Sequence, residues 1–169
     1  IADHAGIYSL DPSRIGVTGS SAGAHLCALA GLRAGSHSDR YTVRCMYLLS
    51  GVYDVAVWAD EVPEFAYASD ALLGGTTAEM KDAARDASPM TYVHPEAPAC
   101  FAIHGEEDDV VPPGESVRFV EALNGVGVEA EALIIPGVGH DTWQHGSDPL
   151  EPVGASDALL GGTTAEMKD

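Results

Sequence analysis

Four short apolar segments alternate with helical segments along this chain of 169 residues, and this alternation is the feature that most limits its fold. The apolar segments are bounded by turn residues and are typical of buried strands; they cover residues 14–18, 43–50, 99–104 and 128–135. Helical patterns separate them, at residues 22–32, 65–73, 78–86 and 115–123. Because strands that alternate with helices run parallel, the sequence predicts an α/β fold with a parallel sheet.

An identical fifteen-residue sequence, ASDALLGGTTAEMKD, occurs at residues 68–82 and again at 155–169. Structural repeats diverge in sequence and need about three copies in order to stack. We therefore interpret the second copy as a duplication and leave it out of the fold prediction. We expect the first copy to be largely buried through Leu72, Leu73 and Met80, and the second to be peripheral and without a role in catalysis.

A GxSxG motif, Gly19-Ser20-Ser21-Ala22-Gly23, lies between the first predicted strand and the first predicted helix. In such a junction the central serine sits on a strained turn, and the glycines allow neighbouring backbone to approach closely. The turn raises the serine hydroxyl above the edge of the sheet, beside the first N–H groups of the helix. Ser21 is therefore the candidate nucleophile and Ser20 a structural residue; the alternative is a serine- and glycine-rich helix entry without chemistry.

A serine hydroxyl becomes a useful nucleophile only when a base accepts its proton, and that base needs an acid to orient it. His140 follows the last predicted strand in a glycine-containing loop and is the candidate base, with His145 as the alternative. The acid is expected in the loop after the third strand, where four carboxylates occur in a row at residues 106–109. Composition does not choose among these four. His25 and His104 are assigned structural roles.

Other kinds of site are not indicated by the sequence. The glycine-rich segment before Ser21 has neither GxGxxG spacing nor the lysine of a phosphate-binding loop, and HExxH is absent, so we predict no cofactor and no metal. With 46% apolar residues the chain can bury a core, and its net charge of −18 disfavours binding to nucleic acid or to a membrane surface. No feature specifies an oligomeric state.

The cysteines, Cys27, Cys45 and Cys100, are odd in number and form no CxxC pair. We interpret all three as small buried apolar residues in a reducing compartment, which predicts a cytoplasmic location.

Four ordered motifs together resemble the α/β-hydrolase superfamily, and more narrowly its esterase- and lipase-like carboxylesterases of the feruloyl-esterase-like branch. They are DPSRIGVTGSSAGAHL at 11–26, LSGVYD at 49–54, HGEEDDVVP (an HGxxDxxVP loop) at 104–112 and PGVGH at 136–140. The resemblance implies that Ser21 is the nucleophile, Asp108 the acid and His140 the base. It also implies that the N–H of Ala22 is one donor of the oxyanion hole.

Members of that superfamily carry several strands and an HGGG-like loop before the nucleophile, whereas about ten residues precede Asp11 in this sequence. We therefore expect residues 1–143 to be the C-terminal part of an α/β-hydrolase domain truncated on its N-terminal side. Residues 53–93 are then a helical excursion, and residues 144–169 a tail that contains the duplicate.

The predicted function is hydrolysis of small carboxylic esters through an acyl-enzyme intermediate on Ser21, with a small-molecule ester as the substrate. An arylformamidase-like or prolyl-oligopeptidase-like hydrolase is the alternative within the same chemistry. A catalytically inactive fragment that serves as a binding module is the alternative from another class. If Ser21 and His140 act together, their side chains lie within hydrogen-bonding reach, about 2.6–3.2 Å.

Overall fold

The four predicted strands form one parallel sheet in a computed structural model that describes residues 2–34 and 41–140. The strands are β1 (Ile15–Ser20), β2 (Val43–Leu49), β3 (Ala99–Gly105) and β4 (Ala130–Ile135), and they neighbour one another in that order. Each adjacent pair is parallel, so all four strands end at the same edge of the sheet. The predicted parallel α/β architecture is confirmed.

Five α-helices connect or follow these strands in the described part of the chain: α1 (Ala22–Ala34), α2 (Val55–Glu61), α3 (Ala66–Leu73), α4 (Lys81–Ala87) and α5 (Gly114–Gly125). Short 3-10 helices occur at Ala2–His4, Pro63–Phe65 and Pro89–Tyr92. Helix α2 was not predicted separately; Asp54 begins it by accepting hydrogen bonds from the N–H groups of Ala56 and Val57. Among residues 2–34 and 41–140, no helix combines the length and the apolar character that a membrane span requires.

The main core lies on one face of the sheet, beneath α1 and α5. Alternate residues of a strand point to the same face, so Met46 and Leu48 of β2 and Cys100 of β3 point to this side. Ala24, Ala28 and Leu32 of α1 and Phe119 and Leu123 of α5 cover them. The ring of Tyr53 stacks on Phe119 with a centroid separation of 4.3 Å, which ties the chain after β2 to α5.

The prediction that all three cysteines are buried was wrong. Cys100 is buried in the main core, but Cys27 is half-buried and Cys45 is exposed. Cys45 precedes Met46 and therefore points to the opposite face of β2. On that face Tyr47 is exposed and lies 5.8 Å, between ring centroids, from Phe101.

The first copy of the duplicated sequence, residues 68–82, is largely exposed, so the prediction of burial was wrong for it. It includes most of α3, the turn after it and the start of α4. Leu73 is buried against Val55 and Ala84, and Ser69 is also buried, but Leu72 on the adjoining face of α3 is 62% exposed. A short helix packed on one side buries one face and leaves the other open. The second copy, 155–169, lies outside the described residues.

Candidate active site

Ser21 occupies the turn between the end of β1 at Ser20 and the start of α1 at Ala22. Its φ of 54° places it in the left-handed region, a conformation that costs energy for a residue with a side chain. Its N–H donates to the carbonyl of Leu49 at 2.8 Å, which holds the turn against β2. The sequence predicted a strained turn at this residue, and the structure has one.

The two glycines of the motif have unequal roles. A Cβ at Gly19 would overlap the carbonyl group of Gly23, so the first glycine is required by the close approach of strand and helix. A Cβ at Gly23 would meet nothing within 4 Å. The prediction of a close-approach role is therefore correct for Gly19 and wrong for Gly23.

The loops that carry Asp108 and His140 lie directly against each other. A Cβ at Gly105 would overlap the carbonyl oxygen of Val138, so this approach also depends on a glycine. The N–H of Glu107 donates to the Val138 carbonyl at 2.9 Å, and the N–H of Glu106 donates to the Ile135 carbonyl at 2.9 Å. Because β3 and β4 are parallel neighbours, the two loops begin side by side at the carboxyl edge of the sheet.

Ser21, His140 and Asp108 form a continuous hydrogen-bonded series. His140 Nε2 lies 2.9 Å from Ser21 Oγ, and His140 Nδ1 lies 2.7 Å from Asp108 Oδ2. A carboxylate only accepts, so Nδ1–H donates to Asp108, and in the neutral ring Nε2 is left to accept from the serine hydroxyl. The distance expected from the sequence is met, whereas the alternative base, His145, lies outside the described residues.

Asp108 is the buried member of the four consecutive carboxylates; Glu106, Glu107 and Asp109 are exposed. Its Oδ1 atom accepts from the N–H groups of Val110 at 3.1 Å and Val111 at 2.8 Å. Burial by itself would raise the pKa of Asp108, but hydrogen bonds from His104, His140 and the Val111 N–H outweigh it and hold the pKa below its usual value. Asp108 therefore stays ionised beside His140.

His104 is a neighbour of Asp108 that sequence reasoning set aside as purely structural. It is the last residue but one of β3 and is fully buried, and its Nε2 lies 2.8 Å from the Val111 carbonyl and 3.2 Å from Asp108 Oδ2. Its Nδ1 lies 2.7 Å from Ser116 Oγ on α5. The signal that could have identified it is the spacing of the HGxxD motif, because a tight turn brings its first and last side chains together.

Ala22, the predicted oxyanion donor, is the first residue of α1 and lines the pocket beside Ser21. The first N–H groups of a helix lack acceptors within the helix and carry its positive partial charge. This position suits an N–H that meets a developing negative charge next to Ser21; the role itself stays a prediction.

A pocket of about 580 Å³ opens beside Ser21 and is bounded by α1, α2, α3 and the segment after Asp108. Its lining is mainly apolar and includes Leu26, Leu29, Val52, Val55, Trp58, Phe65, Tyr67, Leu72, Val110 and Val111. At its mouth Leu26, Tyr67 and Leu72 are 64%, 69% and 62% exposed. Trp58 is fixed by donating from Nε1 to the Val110 carbonyl at 2.9 Å.

No acidic side chain, lysine or arginine is among the described residues that line this pocket, and His25 is its basic group. His25 Nδ1 lies 2.9 Å from the Val52 carbonyl, and burial lowers the pKa of His25 despite that hydrogen bond. The imidazole is therefore neutral near pH 7, and the pocket suits an uncharged apolar group.

Glu115 is a buried carboxylate that the sequence did not single out. Its Oε2 atom accepts from the N–H groups of Tyr53 at 2.6 Å and Asp54 at 2.8 Å, and Oε1 accepts from Arg118 at 2.5 Å. It thereby joins the first turn of α5 to the segment that begins α2. An acidic residue in the first turn of a predicted helix was the sole signal, and it does not distinguish this role from an exposed one.

Across residues 2–34 and 41–140, no group of three or more His, Cys, Asp or Glu side chains is arranged to hold a metal ion.

This chain is similar to one protein family model, to a curated esterase and to solved structures of hydrolases. Residues 1–123 match the protein family described as BD-FAE. The esterase LipQ of Mycobacterium tuberculosis is 37% identical over 136 residues, which cover 75% of this chain and 31% of LipQ. The chain thus spans about a third of the length of this curated relative.

Two solved structures are similar over 82% of this chain. One is a truncated form of a carbohydrate esterase from gut microbiota, with 28% identity, a TM-score of 0.70 and 56% of that chain covered. The other is a puromycin hydrolase, with 30% identity, a TM-score of 0.67 and 20% of that chain covered.

Proposed function

The chain belongs to the BD-FAE family and has the α/β-hydrolase fold, and from these premises we propose that it acts as a serine hydrolase that cleaves carboxylic esters through an acyl-enzyme. The observation that carries the proposal is the series of hydrogen bonds from Ser21 Oγ through His140 to Asp108. In this proposal Ser21 is the nucleophile, His140 the general base and Asp108 the acid that orients it. The kinship with the esterase LipQ supports an ester as the substrate.

In the acylation step, Ser21 Oγ attacks the ester carbonyl carbon while its proton passes to His140 Nε2. Asp108 stabilises the imidazolium that forms and keeps its Nδ1–H directed at Oδ2. The carbonyl oxygen becomes an oxyanion next to the N–H of Ala22 at the start of α1. When the tetrahedral intermediate collapses, His140 Nε2–H gives its proton to the departing alkoxide, and the acyl group stays on Ser21.

In the deacylation step, a water molecule takes the place of the alcohol. His140 Nε2 accepts a proton from this water as its oxygen attacks the acyl carbon, and the second tetrahedral intermediate releases the carboxylic acid. The same proton then returns to Ser21 Oγ. The free hydroxyl and the neutral imidazole are thereby restored for the next cycle.

The pocket beside Ser21 supports esters whose acyl or alcohol part is apolar and uncharged. Its described lining offers Trp58, Phe65 and aliphatic side chains and no charged partner for a carboxylate or an ammonium group. A charged substituent placed there would lose its hydration without gaining a counter-ion, which is costly.

Amide hydrolysis is the second candidate function, because the chain is 30% identical to a puromycin hydrolase over 82% of its length. The same three side chains would act, with His140 giving its proton to a leaving amine. A matched pair of substrates, one p-nitrophenyl ester and one p-nitroanilide with the same acyl group, separates the two functions by their kcat/KM values.

The test of the proposed function is covalent labelling of Ser21 by an alkyl fluorophosphonate, read by mass spectrometry of the intact chain and of its peptides. We expect one label, on Ser21, and its loss in both the Ser21→Ala and His140→Ala variants. Ser20→Ala is the matched control, because the neighbouring hydroxyl is exposed and stands outside the series. Failure to label the folded chain, or equal labelling of the His140→Ala variant, would contradict the proposal.

A further inference from the structure

Asp108 Oδ2 faces two histidines. The Nδ1 atom of His140 lies 2.7 Å from this oxygen and the Nε2 atom of His104 lies 3.2 Å from it. The Asp108 side chain has no exposed surface, so these contacts are shielded from water and are stronger than they would be in solvent. The carboxylate therefore interacts with two imidazoles: that of His140, the base proposed to act on Ser21, and that of His104.

His104 is held in place from both sides. A carbonyl oxygen can only accept, so the 2.8 Å approach to the Val111 carbonyl places a hydrogen on Nε2. In the neutral ring this leaves Nδ1 to accept from the hydroxyl of Ser116, 2.7 Å away. The ring is completely buried and spans from α5 to the Asp108 loop, so its Nε2–H is kept beside Oδ2.

We propose that His104 is a positioning residue. It fixes the Asp108 carboxylate and weakens the attraction of that carboxylate for the proton on His140. Its Nε2–H stabilises the charge on Oδ2 and thereby limits how strongly that oxygen holds a proton at His140. This inference rests on the proposed function for its effect on turnover, whereas its effect on His140 can be measured without turnover.

Removing the His104 donor has two expected effects. Asp108 Oδ2 then interacts with the His140 proton alone, so the protonated imidazole is favoured and the pKa of His140 rises. The carboxylate also loses one of its fixed contacts, so His140 is less well aligned with Ser21 and kcat falls about tenfold with little change in KM. A substitution that only loosens the core would lower stability without this pKa change.

Other ionisable groups on the neighbouring elements are the same in each variant. They are Glu106, Glu107 and Asp109 in the Asp108 loop, Glu115 on α5 and His25 on α1. The comparison between variants therefore isolates the contribution of His104.

A matched pair of variants tests the proposal. His104→Gln keeps an N–H donor near the position of Nε2, whereas His104→Asn keeps a polar group near Nδ1, toward Ser116, and removes the donor near Asp108. The pH titration of His140, followed by the NMR resonance of its ring Cε1 proton, gives the pKa directly; a His140→Gln spectrum assigns the signal. We expect a raised pKa of His140 in His104→Asn and an unchanged one in His104→Gln.

Turnover of p-nitrophenyl butanoate gives the second measurement. We expect kcat to fall about tenfold in His104→Asn and to stay within about threefold of the parent in His104→Gln. An unchanged pKa of His140 in His104→Asn, or the same rise in both variants, would overturn the proposal. Should both variants fail to fold, Ser116→Ala decides: it frees Nδ1 of His104, and it should raise the pKa of His140 in the same direction by a smaller amount.

The two proposals fail in different ways. If the parent chain neither hydrolyses the ester nor accepts the fluorophosphonate label, the proposed function fails, while the NMR contrast between the two His104 variants still tests the positioning role. If the parent is active and the NMR contrast is absent, the positioning role fails alone.

Discussion

The hydrogen-bonded residues around Ser21 and the apolar pocket beside them are built in different ways. On one side, Ser21, His140 and Asp108 are fixed by hydrogen bonds of 2.9 and 2.7 Å, and the Asp108 side chain is fully buried. We call this the polar wall. On the other side, α2, the 3-10 helix after it and α3 present Trp58, Phe65, Tyr67 and Leu72, and we call this the apolar wall.

The difference reflects what each wall rests on. The polar wall is carried by loops that follow parallel strands of one sheet, so the sheet sets its geometry and glycines allow its close approaches. The apolar wall rests on small clusters outside the main core, such as Val55 with Leu73 and Ala84. Hydrophobic packing tolerates substitution of similar volume, whereas directed hydrogen bonds do not. We therefore expect changes in the polar wall to affect reactivity and changes in the apolar wall to affect which substrate is used.

The largest effect on turnover is expected from Asp108→Asn. The amide can no longer stabilise the His140 imidazolium or fix its tautomer, so turnover of an ester should fall by up to about 10⁴-fold. Asp109→Asn is the matched control, because it removes the same charge from an exposed neighbour in the same loop. Steady-state kinetics of both variants make the comparison. Equal losses would mean that the loop acts through its overall charge and that the polar wall lacks a specific acid.

Most of the polar wall could be predicted from the sequence because its constraints are local. Ser21 needs a left-handed turn with a glycine two residues before it, and that requirement appears as GxSxG. Asp108 and His140 each follow a strand directly, and parallel strands end at one edge, so topology brings them together. The choice of Asp108 among four carboxylates came from the resemblance, and the structure accounts for it through burial.

The rest depends on contacts between distant segments, which periodicity does not report. Glu115 meets the N–H groups of Tyr53 and Asp54 across some sixty positions of sequence, and nothing in the pattern of α5 marks it as buried. Cys45 was misassigned because one face of β2 lacks a covering helix in the described part of the chain. His104 was identified as packed, but its approach to Asp108 depends on the shape of a single turn.

An intermediate effect is expected from Glu115→Gln, which tests whether the two walls are independent. The substitution removes a buried charge that holds the start of α2 and pairs with Arg118, so the free energy of unfolding should fall by about 1–3 kcal/mol. Glu121→Gln, on the exposed side of the same helix, should leave stability unchanged within about 0.5 kcal/mol. Urea unfolding measures both. If the Glu115→Gln variant is still folded but Ser21 is no longer labelled, the polar wall depends on the segment before α2.

The smallest effect is expected from Leu72→Asp at the mouth of the apolar wall. Leu72 is 62% exposed, so the folded chain tolerates the carboxylate, but the pocket loses apolar surface and gains a charge. For a p-nitrophenyl octanoate ester, kcat/KM should fall about tenfold, which is the loss typical of one or two methylene contacts in a binding pocket. For the acetate ester, which has no chain to place against Leu72, kcat/KM should stay within about twofold of the parent.

Leu10→Asp is the control for this variant, because Leu10 is 51% exposed and does not line the pocket beside Ser21. It changes charge and exposed apolar surface in the same way and should leave the ratio of octanoate to acetate kcat/KM as it is. If Leu72→Asp lowers the rates of both esters equally, α3 contributes to the reacting geometry and the division between a reactive wall and a selective wall is wrong. If the ratio alone changes, the acyl chain lies along α3. The alcohol part of the ester then leaves from the other side of Ser21.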